Sequence, residues 1–80
     1  MADIDTPFTA VKYVKVTKAT GLLPDGTCKG LRVGTAGTAN LVDGTGTLRT
    51  DVPLFEGDNP LVCREVRTGG TADNIWALYD

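Results

Sequence analysis

Short runs of alternating apolar and polar residues recur along the chain, and such runs are typical of β-strands. The first run, FTAVKYVKVT at 8–17, is rich in β-branched and aromatic residues. Apart from Lys12, one alternating face is apolar, and it consists of Phe8, Ala10, Val14 and Val16. Val11 and Tyr13 fall among polar residues on the other face. The pattern predicts a first strand here.

Five more strands are predicted between turn sequences. They are CKGLRV (28–33), TANLV (38–42), TLRTDV (47–52), LVCREVR (61–67) and NIWALY (74–79). The turns are LLPDGT, with its Pro-Asp-Gly signature, then GTAG, DGTG and TGGTAD. The segment PLFEGDNP (53–60) is bounded by prolines and is predicted to be a loop. NIWALY is apolar on both faces, which favours a central strand or one buried against a partner.

No segment of ten or more residues has a 3.6-residue apolar repeat with helix caps, so negligible helix is expected. Six or seven short strands at this spacing predict an all-β fold, a small antiparallel β-sandwich or barrel. The 80 residues suffice for one domain. We assign residues 1–7 to a flexible acidic N-terminal arm and residues 8–80 to the β-sandwich domain.

The stretch from Val33 to Leu48 has Gly or Thr at half of its positions, but its glycines do not fit a phosphate-binding loop. Arg49 stands where the third glycine of a dinucleotide fingerprint should fall, and no Gly-Lys-Ser/Thr occurs. These residues are therefore interpreted as turn and strand residues. The chain also has no His, Ser or Gln, which removes the usual nucleophile and base pairs. We expect no enzymatic activity and no cofactor.

Net charge and cysteine usage limit the partners. The formal charge of −2 argues against a dense basic surface for nucleic acid. The N-terminus, MADIDTPFTA, has no apolar stretch of signal-peptide or anchor type, so no membrane association is expected. Cys28 and Cys63 lack the spacing of metal or redox motifs. Buried reduced thiols are favoured over a disulfide, since cytosolic synthesis keeps thiols reduced.

Two irregular segments and one strand residue are candidate protein-contact positions. Most of the aromatic residues lie on apolar strand faces and are expected to pack in the core. Phe55 is the exception, because it lies between proline-bounded turns, and it is the best candidate for an exposed apolar contact. Glu56 and Asp58 could form an acid/base pair or a weak calcium site, but two carboxylates and an amide are too few ligands, and a solvated loop is favoured. The remaining candidates are Trp76 at a subunit contact and the acidic arm residues Asp3 and Asp5.

An ordered set of segments resembles the small spike-base proteins of tailed phages and gene transfer agents. The segments are GLRVGTAGTANLV, the Val-Pro at 52–53, PLVCREV and TGGTADNIWALY, and the match covers roughly residues 28–79. The sequence departs from the family pattern at Cys63 and Glu65, and in the bulkier LFEGDNP loop. Residues 8–27 fit only as a strand followed by a turn.

The resemblance implies a virion structural protein without catalysis, assembled in the bacterial host cytoplasm. Such a protein would form a ring-like homo-oligomer, a trimer or pentamer, and seat a spike or fibre on the particle, with a capsid vertex favoured. Its other partners would be capsid and spike or fibre proteins. A closed ring also covers sheet edges and adds buried apolar surface to a small core. The alternatives are a capsid decoration or tail-associated sandwich, or a carbohydrate- or protein-binding β module.

Overall fold

In a computed structural model of the chain, residues 9–80 are described, and they form an all-strand domain of two antiparallel sheets. The predicted all-β fold is confirmed. The strands are β1 (Lys12–Lys15), β2 (Gly30–Thr35), β3 (Gly37–Asp43), β4 (Leu48–Leu54), β5 (Gly57–Asn59), β6 (Cys63–Arg67) and β7 (Asp73–Tyr79). The predicted arm, with Asp3 and Asp5, and Phe8 lie outside the described residues.

The two sheets divide the strands in a non-sequential order. The four-stranded sheet has the order β1-β7-β2-β5, and the three-stranded sheet has the order β4-β3-β6. The last strand therefore lies between the first and the second, with Tyr13 opposite Leu78 and Gly30 opposite Leu78 on the other side. This confirms that NIWALY forms a central strand.

The core lies between the sheets and consists of side chains that alternate inward along the strands. The four-stranded sheet contributes Leu31 and Val33 of β2 and Ile75 of β7. The three-stranded sheet contributes Leu41 of β3 and Val66 of β6. Outward-facing residues alternate with them, because successive side chains of a strand point to opposite faces of the sheet. Each sheet therefore has one face in the core and one outer face.

Residues 16–29 run from the four-stranded sheet to the three-stranded sheet and back, and we call them the crossover segment. Along β6, the N–H of Ala19 donates to the carbonyl of Val66, and the N–H of Leu23 to that of Arg64, each at 2.9 Å. The predicted Pro-Asp-Gly turn forms here, with Gly26 at a φ of +93°. The crossover segment thus covers the edge of β6 that β3 leaves free, which removes a site for unwanted strand pairing.

The predicted TGGTAD turn is held against the start of β3. The N–H groups of Thr71 and Ala72 both donate to the carbonyl of Thr38 at 2.9 Å. Gly70 has a φ of +78°, and a Cβ there would collide with the β3 backbone. Gly is therefore required at this position both by the backbone conformation and by the close approach of the two segments.

Three predictions about local structure were wrong. The predicted GTAG turn does not form, because Gly34 and Thr35 end β2, Gly37 begins β3, and these two strands belong to different sheets. PLFEGDNP is not a single loop, because Pro53 and Leu54 end β4 and Gly57–Asn59 forms β5, which pairs with β2.

Most aromatic side chains were expected in the core, but Tyr13 is 64 % exposed and Trp76 only half-buried. Both side chains lie on the outer face of the four-stranded sheet, whereas Leu31 and Val33 lie on its core face.

Candidate functional site

A groove lies on the outer face of the four-stranded sheet. Its volume is about 370 Å³. The lining side chains come from β1, β7, β2 and β5 and from the residues just before β1. They are Ala10, Tyr13, Arg32, Asp58, Trp76 and Leu78.

Strand register brings these residues together from distant parts of the sequence. Trp76 of β7 lies opposite Lys15 of β1 on one side and Arg32 of β2 on the other. Arg32 in turn lies opposite Asp58 of β5. Since directly opposed residues share one face of a sheet, four strands contribute to a single transverse row of side chains. Tyr13 and Leu78 form the adjacent row.

A charged pair forms one wall of the groove. Arg32 donates from Nε to Asp58 Oδ1 at 2.7 Å and from a terminal nitrogen to Oδ2 at 3.3 Å. This two-point contact orients the guanidinium plane, and it raises the pKa of Arg32 further above its ordinary value through the hydrogen bond and charge of Asp58. Both groups keep contact with solvent, so the pair can exchange partners at a binding surface at little cost.

Trp76 is fixed in position by its neighbours in β7 and β1. Its indole Nε1 donates to Asn74 Oδ1 at 3.3 Å, and the Lys15 ammonium donates to the same oxygen at 3.0 Å. The Lys15 nitrogen also lies 5.8 Å from the centre of the indole ring, a cation–π distance. Asn74 itself has a positive φ of 54°.

Apolar surface remains on the other side of the groove. Tyr13 projects into solvent, while Leu78 is only 5 % exposed although it is not part of the core cluster between the sheets. The groove thus combines an aromatic, mostly apolar region with one adjustable ion pair. Trp, Tyr and Arg are the residue types that most often dominate the energy of protein interfaces.

The loop before β5 presents the second candidate contact. Phe55 is 72 % exposed, which agrees with the expectation of an exposed aromatic, and Glu56 beside it is also exposed. The loop is organised by Asn59, a side chain only 3 % exposed. Asn59 accepts a hydrogen bond from the N–H of Phe55 and donates to the carbonyls of Phe55 and Gly57, at 2.9 to 3.1 Å.

The structure brings some predicted site residues together and separates others. Asp58 and Trp76 both line the groove, whereas Phe55 and Glu56 occupy the loop that leads into β5. Asp58 accepts both hydrogen bonds from Arg32 and forms part of the groove wall. Arg32, Tyr13 and Leu78 were not singled out from the sequence.

The described residues contain no group of three or more His, Cys, Asp or Glu side chains that could hold a metal ion. Among residues 9–80 no helix is long and apolar enough to cross a membrane. Comparison with protein-family models, with curated proteins and with solved structures finds no match to this chain.

Proposed function

We propose that the chain is a non-catalytic virion structural protein, an oligomeric base that seats a spike or fibre on a phage particle. The observation that carries the proposal is the ordered set of segments that resemble spike-base proteins. In the fold these segments correspond to β2 and β3, the end of β4, β6, and the closing turn with β7. The resemblance thus extends over strands of both sheets rather than over one hairpin.

The surfaces of the domain support assembly as its role. The aromatic groove and the Phe55 loop are exposed apolar features on a domain with a small core, and burial of such features stabilises an oligomer. We assign the groove to the contact with a second copy of the chain, because Trp76 is already held by Asn74 and Lys15 and loses little side-chain freedom on binding.

Solution mass tests the self-association. Trp76→Ala is expected to shift the particle mass measured by light scattering to smaller species at equal chain concentration. The matched control is Leu48→Ala, because Leu48 is an exposed apolar residue of the three-stranded sheet. An unchanged mass of the Trp76 variant, with its β-sheet circular dichroism intact, would exclude the groove from the subunit contact.

Incorporation into particles tests the virion role. Deletion of residues 2–6 removes Asp3 and Asp5 from the arm, and Phe55→Ser removes the apolar side chain of the loop. We expect both variants to fold with wild-type thermal stability and to incorporate less into particles purified from the producing host. If wild-type chain never co-purifies with capsids or tails, the virion proposal fails.

The groove also favours a second candidate, a carbohydrate-binding module. Tyr13 and Trp76 offer ring surfaces for stacking, and Arg32 with Asp58 offers paired donors and acceptors for hydroxyl groups. Trp76 is the only tryptophan of the chain, so its fluorescence reports directly on the groove. A saturable fluorescence change with a defined oligosaccharide, together with a monomeric mass, would favour this candidate over the spike base.

A further inference from the structure

Cys28 and Cys63 meet at a junction between the two sheets. Cys28 lies at the end of the crossover segment, and Cys63 begins β6. Their Sγ atoms are 3.3 Å apart, and the side chains of both residues are buried, with 1 % and 0 % of their surface exposed. Neither cysteine lines the groove, and both belong to the core cluster between the sheets, so the proposed contacts do not account for the pair.

The backbone holds the two cysteines in a geometry suited to a covalent bond. The N–H of Cys28 donates to the carbonyl of Cys63 at 3.0 Å, and the N–H of Cys63 donates back at 3.3 Å. In such a reciprocal antiparallel pair the Cα atoms are about 5.5 Å apart. Disulfides span Cα distances of about 4.4 to 6.8 Å. Side-chain rotation alone can therefore bring the sulfurs to bonding distance.

We propose that Cys28 and Cys63 are a thiol–disulfide site, in which a hydroperoxide or a low-molecular-weight disulfide converts the two thiols into an intramolecular bond. The bond would tie the crossover segment to β6, and so join the connection between β1 and β2 to the three-stranded sheet. Reduction by an external thiol would restore the pair.

The two thiols differ in acidity, which assigns the order of the steps. The two sulfurs lie within hydrogen-bond distance of each other, and either thiol can donate. With the Cys63 thiol as donor, the contact lowers the pKa of Cys28, and the same contact together with burial raises the pKa of Cys63. Cys28 is therefore the thiolate that attacks the oxidant. With hydrogen peroxide, the Cys28 sulfur takes one oxygen and becomes a sulfenic acid, while hydroxide leaves and takes up the proton that Cys28 released.

The second step closes the bond. The Cys63 sulfur attacks the Cys28 sulfur, its thiol proton passes to the departing hydroxyl, and water leaves. Overall, two thiols lose two hydrogens and one peroxide becomes two water molecules. With a small disulfide as the oxidant, the two hydrogens instead end on two small thiols.

Access to the buried sulfurs requires local opening. The crossover segment is irregular, much of it is exposed, and its contacts with β6 include the backbone bonds from Ala19 and Leu23. A segment of this kind opens at a lower free energy than the core strands. Oxidation is therefore expected to be slow in the folded protein and to accelerate under mild denaturant.

Purified full-length chain provides the test. Reduced protein is treated with hydrogen peroxide or with oxidised glutathione, and the intact mass and the free thiols are measured. We expect the intact mass to fall by two hydrogens per chain and both free thiols to disappear. After tryptic digestion, peptide 19–29 should be found linked to peptide 50–64. The midpoint of thermal unfolding should rise by about 10 °C or more, because the bond closes a long loop in the unfolded chain.

The double variant Cys28→Ala with Cys63→Ala is the matched control, and neither oxidant should change its mass or its unfolding midpoint. Three results would overturn the proposal: thiols that persist in the folded protein while unfolded chain is oxidised, covalent dimers in place of the internal link, or an internal link without a rise in the unfolding midpoint. None of these measurements depends on particles or on non-covalent assembly. The thiol–disulfide site can therefore fail while the proposed function holds, and the proposed function can fail while the site holds.

Discussion

The outer faces of the two sheets differ in how their aromatic and charged side chains are used. On the four-stranded sheet, Tyr13 and Trp76 border a groove, and the ion pair of Arg32 and Asp58 is open to solvent. On the three-stranded sheet, Arg67 donates to Glu65 at 2.7 Å, and Glu65 also accepts the N–H of Gly21 from the crossover segment. The four-stranded sheet thus has aromatic surface that no other part of the domain covers fully, while Glu65 of the three-stranded sheet holds the crossover segment in place.

This difference separates surface that maintains the sandwich from surface that is free to bind. Polar groups engaged with the backbone contribute to folding, and their replacement is expected to lower stability. Exposed aromatic residues contribute little to folding, and their replacement is expected to alter association.

The largest effect is expected where the groove depends on a buried side chain. Asn59→Ala should lower the free energy of unfolding by about 2 to 3 kcal/mol, because backbone groups of Phe55 and Gly57 lose their partner. Loss of the loop geometry should also shift β5 and the Asp58 wall. Urea denaturation measures the first effect, and Trp76 fluorescence the second. A stability equal to wild type would show that water replaces the amide.

The stability of the domain should depend on acid through two carboxylates of the three-stranded sheet, Asp43 and Glu65. Hydrogen bonds from Thr45, Arg49 and Thr47 lower the pKa of Asp43, and the Arg67 hydrogen bond lowers the pKa of Glu65. Because the folded values lie below the unfolded ones, the stabilisation is present above about pH 4 and is lost as the pH falls further.

The variants Asp43→Asn and Glu65→Gln test this assignment. We expect their unfolding midpoints to fall less than that of wild type between neutral pH and acid pH. Tyr13→Ser, on the other face, serves as the control and should retain the wild-type acid dependence. Equal acid sensitivity in all four proteins would place the responsible carboxylates elsewhere.

The smallest effect on folding is expected in the groove itself. Tyr13→Ser should change the free energy of unfolding by no more than about 0.5 kcal/mol, since the side chain is 64 % exposed. The same variant should weaken association, as measured by light scattering over a dilution series. A loss of more than 1.5 kcal/mol would mean that the groove face also maintains the fold.

The strands that alternation marked strongly were predicted from sequence, and β5 was not. The regions of β2, β3, β6 and β7 contain β-branched and apolar runs between turn residues, so their existence could be read directly. Strand β5 is Gly-Asp-Asn, a sequence with little β-propensity. It forms because Asn59 bonds to the preceding loop and β2 offers an edge, which are tertiary contacts.

The groove was beyond prediction for a related reason. Trp76 and Asp58 were named as contact residues, but no sequence pattern places them near Arg32 or Tyr13. Their proximity depends on the strand order of the sheet, which a single sequence does not reveal. The segment NIWALY around Trp76 carried a partial signal. It is apolar on both faces, and apolar residues on both faces of a strand imply that other residues cover the second face.

The position of β7 between β1 and β2 has a consequence for the timing of folding. β1 has no other strand partner among the described residues, and its pairing joins residues separated by more than sixty positions. On the ribosome, the first strand must wait for the last one, so the four-stranded sheet can form only after Asp73–Tyr79 has emerged. Non-local closure of this kind is slow and exposes unpaired strands meanwhile. The nascent chain should therefore depend most on chaperones in the period before β7 has emerged.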